Sequence, residues 1–458
     1  MSGMAFGKKR HLHFMGIGGV SMSGLARWYR ADGEHVSGCD SGDSGLLDEL
    51  RGEGIKIFKG HSPEHLNDVD VLVGTMAVAD SEPEWVAAEA SDVHAIKRIE
   101  LLGELFERRV SIGVTGTHGK STTTGMAAAI FIGCRTDPSV QIGAHLPETQ
   151  GNVRFGEGAH LVAEVDESDP GFANLKAHTA IITNLEDDHI AGEFDERRNY
   201  HASLADLEKA TRQYATAAQV CVYCRDWAGL HELLGDVPKA LSYGEAAESD
   251  YRISKLELLE SSSSFTFTLP SGESFEVQLI IPGKHNVLNA AAALCAAHLH
   301  ELDMDLAVAS LSSFKGVGRR WQEWGHVGGA LIIDDYAHHP TEVEATLTAA
   351  KHTGRRVRAV LQPHRWVRTA RHWPALADAA SLADEIIVVD IYSAGEAPIA
   401  GVSPQLIVQR LQNGGKRSSY HDLNSAQDYL ADSLKDNDLV ITLGAGDVWR
   451  VAAGLVGS

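Results

Sequence analysis

Residues 110–124 read V-S-I-G-V-T-G-T-H-G-K-S-T-T-T, and the change of character along this stretch decides the fold. Val110, Ile112 and Val114 form an apolar, β-branched run that predicts a strand. The run breaks into Gly116 and Gly119, then into Lys120 and four hydroxyl residues, Ser121 to Thr124, which predicts a glycine turn feeding a helix start. Backbone N–H groups of such a turn and the positive end of its helix attract phosphate. Lys120 is positioned to reach the β/γ-phosphates of a nucleoside triphosphate and Ser121 to ligate Mg²⁺. The strict Walker spacing is not met, because Val114 stands five residues before Gly119 and an extra glycine sits at Gly116.

Downstream, the strand Leu161 to Val165 ends in E-V-D-E-S-D, which gathers Glu164, Asp166, Glu167 and Asp169 at its C-terminal edge. A second apolar strand, Ala180 to Thr183, ends in N-L-E-D-D-H and delivers His189 to the same edge. Carboxylates opposite a phosphate loop hold Mg²⁺ directly or through water, and imidazole beside them suits a second divalent cation. Strand-like segments between 215 and 280 carry no evident chemistry. The helix that follows has His285, Asn286 and Asn289 in its first turns, where asparagine caps a helix or presents an amide to an adenine edge.

Gly316 to Trp321 forms a candidate hinge that contains Arg319 and Arg320. Beyond it, the strands Ala330 to Ile333, Val357 to Leu361, Ile386 to Val389 and Leu439 to Leu443 predict a second doubly wound unit. Their ends collect His338, His339, Arg365 and Arg368, the two arginines on one helical face, a set suited to a carboxylate or phosphate.

Upstream, the strand His11 to Met15 runs into Gly16-Ile17-Gly18-Gly19 and Ser21, a dinucleotide-type turn. The strand His35 to Cys39 ends in Asp40-Ser41, where an acidic side chain meets a ribose in such folds, and Val69 to Gly74 ends in Thr75. A ligand is therefore expected near Gly16 to Ser21, Asp40, His61 and Thr75. An NAD-dependent dehydrogenase would fit this region alone. It has no use for the triphosphate loop at 116–124, so the first domain is assigned a nucleotide-linked substrate.

A chain of 458 residues accommodates roughly three domains of about 150 residues each. Its net charge of −22 argues against a nucleic-acid surface, and no apolar run approaches the roughly 20 residues that span a bilayer. No apolar signal region is evident near the first residues, so the cytoplasm is the expected compartment. Cys221 and Cys224 form a C-x-x-C, but without a second pair and within a strand-like run they are expected to pack in a core.

Taken in order, G-T-H-G-K-S-T-T-T, E-V-D-E-S-D, T-N-L-E-D-D-H, G-K-H-N-V-L-N-A and D-D-Y-A-H-H-P resemble the Mur ligase family of peptidoglycan synthesis over nearly the whole length. The resemblance implies an α/β fold of three domains: a Rossmann-like UDP-sugar domain at 1–107, a P-loop ATPase domain at 108–317, and a Rossmann-like domain at 318–458 that closes over ATP and brings the amino acid. It implies ATP and Mg²⁺ as cofactors and an ADP-forming reaction through an acyl phosphate. M-G-I-G-G near the start and P-H-R-W-V-R-T near the end are most similar to members that join L-alanine to the carboxylate of UDP-N-acetylmuramate. The murein-recycling members, which attach a tripeptide to the same sugar, rank second. A nucleotide-gated binding protein that forms no amide is the alternative from another class.

Residue by residue, the family pattern places ATP at Gly116, Thr117, His118, Gly119, Lys120, Ser121, Thr122, His285, Asn286, Asn289, Arg320 and Asp335. It places metal at Ser121, Glu164 and His189, and catalytic roles at Lys120, His189, Arg319 and His338, with Arg319 or Arg320 reaching the γ-phosphate. Gly16, Ile17, Gly18, Gly19, Asp40, Ser41, His61 and Thr75 match the UDP-sugar positions, and Tyr336, His338, Arg365 and Arg368 the amino-acid pocket. Three departures stand out: Ser121 replaces the usual threonine, D-H-I-A replaces D-H-M-D with Asp195 a few residues later, and T-M-A-V leaves Thr75 as the only hydroxyl of the uridine segment. The expected assembly is a monomer or weak homodimer that engages neither nucleic acid nor membrane.

Overall fold

The computed structural model describes residues 9–75, 78–188, 190 and 201–457. Contacts divide the chain into two compact units, Met1–Tyr251 with Ala292–Ala307, and Arg252–Ala291 with Val308–Ser458.

The first unit opens with a parallel sheet in the order Lys56–Lys59, His35–Asp40, His11–Met15, Val71–Gly74, His94–Lys97. Leu12, Phe14 and Val73 are buried in it against Leu25, Trp28 and Tyr29 of the helix Val20–Ala31, as the apolar spacing of that helix requires. Reversal of strand order around His11–Met15 creates a crevice at the strands' C-terminal ends. The edge strands Lys56–Lys59 and His94–Lys97 were not evident in the sequence. Each is four residues long, pairs on one side only and is partly exposed, so neither carries an apolar run.

The phosphate-loop strand Val110–Thr115 lies inside a second sheet. It is flanked by Thr179–Ile182, whose Ile182 pairs with Thr115, and by His160–Glu164, whose Glu164 pairs with Val114. Val220–Cys224 and Ala240–Gly244 extend one side, and Ser139–Leu146 with its antiparallel partner Gly151–Arg154 the other. Cys221 and Cys224 are buried, and burial pushes each thiol up to about 12, so both lie in the core as inert apolar groups.

In the second unit, Tyr251–Leu258, Ser263–Thr268 and Ser274–Leu279 pair antiparallel. A separate sheet runs Gln322–Val327, Ala330–Asp335, Asp438–Leu443, Arg356–Leu361, Glu385–Val388, Arg417–Tyr420, parallel except for the first strand. Both faces are apolar, one built on Val343, Leu347 and Leu376, the other on Val451, Ala452 and Leu455.

An ionic knot lies inside this sheet. Arg358 is 0% exposed; its Nε meets Glu385 at 2.8 Å and its Nη1 meets Asp438 at 3.3 Å. Arg356 and the Tyr429 hydroxyl also converge on Glu385. Removing Glu385 leaves the buried Arg358 with Asp438 as its one remaining carboxylate and takes the shared acceptor from Arg356 and Tyr429, and breaking a buried ion pair costs about 3–5 kcal/mol. Glu385→Ala is therefore expected to lower the unfolding free energy of this unit by about that amount, read from the urea midpoint. A midpoint equal to the wild type's would show that the knot is not structural.

Candidate functional site

The phosphate loop is fixed by backbone geometry that only glycine supplies. Gly116 has φ 129°, and a Cβ there would lie 2.2 Å from Thr183 Oγ1 and 2.8 Å from the Asn184 carbonyl. Gly119, at φ 82°, turns the chain into the helix Lys120–Gly133, whose first turns bury Ser121, Thr122, Thr123 and Thr124. The loop thus presents helix N–H groups and hydroxyls at a positive helix end.

Lys120 is held over this loop. Its Nζ donates to the carbonyls of Gly116 (2.6 Å) and Thr117 (3.1 Å) and pairs with Glu167 at 2.7 Å. Burial acts to lower the lysine's pKa, but Glu167, Asp166 and Glu164 outweigh it, so the shift is upward and Lys120 stays cationic. The acidic segment after His160–Glu164, expected to offer metal ligands, therefore has a second role beside the loop. Glu167 is the lysine's counter-ion, a role the quoted E-V-D-E-S-D contained but spacing could not assign.

The segment after Thr179–Ile182 likewise builds the loop. Thr183 Oγ1 donates to the His118 carbonyl at 2.6 Å, and Asn184 accepts the His118 N–H (2.7 Å) and donates to its carbonyl (2.9 Å). The Glu186 N–H donates to Thr117 Oγ1, and His118 Nε2 faces the Glu186 carboxylate at 2.8 Å. Sequence reading valued T-N-L-E for the histidine at its end; its first residues in fact lock the loop. His189 and Asp195 lie outside the described residues.

Glu164 accepts the Gly143 N–H at 2.8 Å with one oxygen. Together with the Ser121 hydroxyl it offers hard oxygen donors, the chemistry Mg²⁺ prefers, so these residues fit that ion.

At the crevice of the first sheet, Gly16 and Ile17 donate to the Cys39 carbonyl (2.8 and 3.1 Å). Asp40 accepts from Gly18 N–H (2.9 Å) and Gly42 N–H (2.8 Å), so its carboxylate braces the glycine turn. The Ile17 side chain is fully buried, which leaves only backbone for a ligand there. Gly19 caps the following helix, Ser41 is exposed, and Thr75 packs beside Gly16. His61 faces inward, with Nδ1 3.1 Å from Cys39 Sγ.

In the second unit the strand ends gather the remaining residues. Asp335, at the end of Ala330–Asp335, accepts from the N–H groups of Trp321 (2.8 Å) and Ala337 (2.9 Å). Burial pushes its carboxyl up to about 6, partly offset by Arg320. The folded pKa lies above the unfolded value near 4, so this group's stabilising contribution is full below pH 4 and is lost as pH rises through 6. Wild-type protein is therefore expected to lose about 3 kcal/mol between pH 4 and 7 relative to Asp335→Asn, measured by urea unfolding at each pH; parallel profiles would contradict it.

Arg320 lies over the Tyr336 ring, 4.8 Å from its centroid. Arg319, expected alongside Arg320 as a candidate for the γ-phosphate, makes a network of contacts within the second unit. Its Nε donates to buried Asp334 at 2.9 Å, and its Nη atoms to the carbonyls of Gly444 (2.7 Å), Gly446 (2.9 Å) and Ala445 (3.3 Å). His338 Nδ1 meets the Tyr336 carbonyl at 2.9 Å, and Glu342 receives the His338 and His339 N–H groups as the capping residue of Pro340–His352.

Arg365 and Arg368 do not share a helical face. Arg365 precedes the helix Trp366–Ala380 at φ 66°, held by its N–H to the Tyr392 carbonyl at 2.8 Å and paired with Glu396. Only Arg368 is helical, with Nη1 3.4 Å from His364 Nδ1, and His364 stacks on Tyr392. His285 and Asn286 belong to the first turn of Lys284–Leu299, where Asn286 donates to the Pro282 carbonyl (2.7 Å) instead of capping the helix, and Asn289 lies buried one turn on. Burial, with repulsion from Arg320, pushes His285 down to about 4 and keeps it neutral.

A nucleotide-type crevice, a lysine-bearing phosphate loop between two acidic strand ends, and a basic strand-end pocket describe an ATP-using ligase architecture, and the chain belongs to the Mur ligase family. Three profiles match in succession: the Mur ligase family catalytic domain at residues 11–110, the Mur ligase middle domain at 114–297 and the Mur ligase glutamate ligase domain at 319–446. The chain is 42% identical over 454 residues to the UDP-N-acetylmuramate–L-alanine ligase of Deinococcus radiodurans, covering 98% of this chain and 93% of that one. It is 38% identical to the protein of the same name from Carboxydothermus hydrogenoformans, covering 97% and 96%. The crystal structure of the UDP-N-acetylmuramate–alanine ligase of Thermotoga maritima superposes with a TM-score of 0.83 at 28% identity over 98% of each chain. The fold is therefore α/β with parallel, Rossmann-like sheets, as the motif order implied.

Proposed function

We propose that this protein joins L-alanine to the carboxylate of UDP-N-acetylmuramate, with ATP converted to ADP and phosphate, as a step in cytoplasmic peptidoglycan precursor synthesis. The observation that carries the reading is the locked loop with Lys120 and Glu167, in a chain that shares 42% of its residues with a ligase of that name. The working domains are 1–107 for the UDP-sugar, 108–317 for ATP and 318–458 for the amino acid.

In the first step a muramoyl carboxylate oxygen attacks the γ-phosphorus, the bond to the β-phosphate oxygen breaks, and ADP leaves. Lys120 and the loop N–H groups hold the transferred phosphoryl and stabilise its charge. Ser121 and Glu164 would hold one Mg²⁺ and Glu164 with His189 a second; such ions, when bound, would screen the phosphate charges. In the second step the alanine amine attacks the acyl carbon, phosphate leaves with the attacking oxygen, and the amine loses a proton. Arg365 and Arg368 clamp the alanine carboxylate so that the amine faces the acyl carbon. With its Nδ1–H donated to the Tyr336 carbonyl, His338 keeps Nε2 as its basic atom and is assigned that proton.

Phosphate release from ATP is expected only when UDP-N-acetylmuramate and L-alanine are both present. Release without L-alanine, or with a tripeptide alone as acceptor, would sink the assignment. Tight NAD(H) binding with no ATP turnover would return the first domain to the dehydrogenase reading.

A further inference from the structure

A polar cluster that the ligase chemistry does not use is buried in the first sheet. His13 on the strand His11–Met15, Cys39 on His35–Asp40, His65 on the short helix Pro63–Leu66 and Glu84 on the helix Pro83–Glu89 point at one another. His13 Nε2 lies 3.0 Å and His65 Nδ1 3.2 Å from one Glu84 oxygen, and Cys39 Sγ lies 3.1 Å from the other. All four donor atoms fall within 4.8 Å of one another.

We propose that His13, Cys39, His65 and Glu84 form a binding site for one divalent transition-metal ion of the zinc type. Metal bonds of about 2.0–2.3 Å place tetrahedral ligands about 3.3–3.8 Å apart, so the observed separations need shifts of only tenths of an ångström at the contacts given. Two imidazoles, a cysteine sulfur that releases its thiol proton to solvent as the metal binds, and a carboxylate form a borderline-soft set that selects zinc over magnesium or calcium.

Two features go beyond proximity. His13 and Glu84 are 0% exposed, and His13 Nε2, 3.0 Å from the Glu84 carboxylate, has no well-aligned hydrogen-bond partner among the described residues. A buried ring nitrogen in that condition is costly unless a cation takes its lone pair. The other ring nitrogen, Nδ1, is 2.7 Å from Ser37 Oγ, which in turn lies 2.8 Å from His11 Nε2. Such an outer hydrogen bond fixes ring orientation and, with Nδ1 as its donor, directs the Nε2 lone pair inward, as at histidine metal ligands generally. The site is also pre-formed, because two donors come from adjacent parallel strands and a third from the helix Pro83–Glu89, whose Trp85 and Ala88 share a core cluster with Met15 and Cys39. A cleft of about 580 Å³ lined by Ser37, Phe58, Glu64 and His65 gives an ion a way in. His61 closes the other flank, with Nδ1 3.4 Å from Glu84. Because Cys39 precedes Asp40, an ion here would pin the segment that braces the glycine turn.

The test uses full-length protein stripped with a chelator and titrated with Co²⁺, then with Zn²⁺ against a chromophoric chelator. Expected are one equivalent of tetrahedral Co²⁺ with a thiolate-to-metal charge-transfer band, its displacement by Zn²⁺, and a rise in Tm with bound Zn²⁺. Cys39→Ser should abolish the band and weaken Zn²⁺ binding by roughly 100-fold, and His65→Ala, at the rim of the cluster, should weaken it by at least roughly 10-fold. A Cys221→Ser/Cys224→Ser control should keep the band. Far-ultraviolet circular dichroism confirms folding of each variant, and His65→Ala carries the test if Cys39→Ser misfolds. Octahedral Co²⁺ without a thiolate band, a band that survives Cys39→Ser, or Zn²⁺ affinity unchanged in His65→Ala would overturn the proposal.

Discussion

Lys120→Ala is expected to lower kcat for ATP-dependent ligation on the order of 10²–10³-fold or more, with the unfolding midpoint close to that of the wild type. The lysine is the one side-chain cation that the structure places over the phosphate loop among the residues described there, with Nζ 2.6 Å from the Gly116 carbonyl. Its charge is needed where the transferred phosphoryl develops negative charge, and loop N–H groups alone supply only partial dipoles. Glu167, left without its ammonium, does not become a stranded anion. Burial already pushes its carboxyl up to about 7, so it takes a proton at small cost near neutral pH. Steady-state phosphate release combined with urea unfolding checks both halves. Near-normal turnover would remove the loop from the mechanism, and a large loss of stability would make Lys120 a structural residue.

Arg319→Ala should produce the opposite pattern, a loss of about 3–5 kcal/mol in the stability of the second unit together with the loss of activity. Asp334 is 0% exposed and would retain only the Thr442 hydroxyl at 2.6 Å, while the carbonyls of Gly444, Ala445 and Gly446 would lose their common donor. Arg319→Lys should recover little, because an ammonium cannot span these acceptors as a planar fork does. Urea unfolding of the three proteins decides the matter. Unchanged stability in Arg319→Ala would contradict this structural role.

The sequence exposed the parts of the fold whose physics is local. Val110–Thr115, Gly116, Gly119 and Lys120 are readable because a buried strand, a positive φ and a helix start each leave a residue-type signature. The strands at sheet edges were missed for the converse reason: Arg417–Tyr420 and Lys56–Lys59 are half-solvated and charged, so nothing periodic marks them. At the site, residue types were legible but partners were not. E-V-D-E-S-D announced carboxylates, yet which one pairs with Lys120 depends on how the chain turns after Glu164, and that turn selects Glu167. The same holds for Arg365, whose φ of 66° goes with a hydrogen bond from its N–H to the carbonyl of Tyr392, a residue 27 positions further on. The cluster around Glu84 drew no attention in the sequence because its members come from four separate segments.

The central claim is that Lys120 and its loop activate a carboxylate as an acyl phosphate before the amide forms. Mass spectrometry of the phosphate released from UDP-N-acetylmuramate labelled with ¹⁸O in its muramoyl carboxylate tests this directly. One labelled oxygen in each phosphate is the predicted result, since the oxygen that attacks the γ-phosphorus departs with it. Phosphate that carries no label, with both labelled oxygens accounted for elsewhere, would contradict the mechanism.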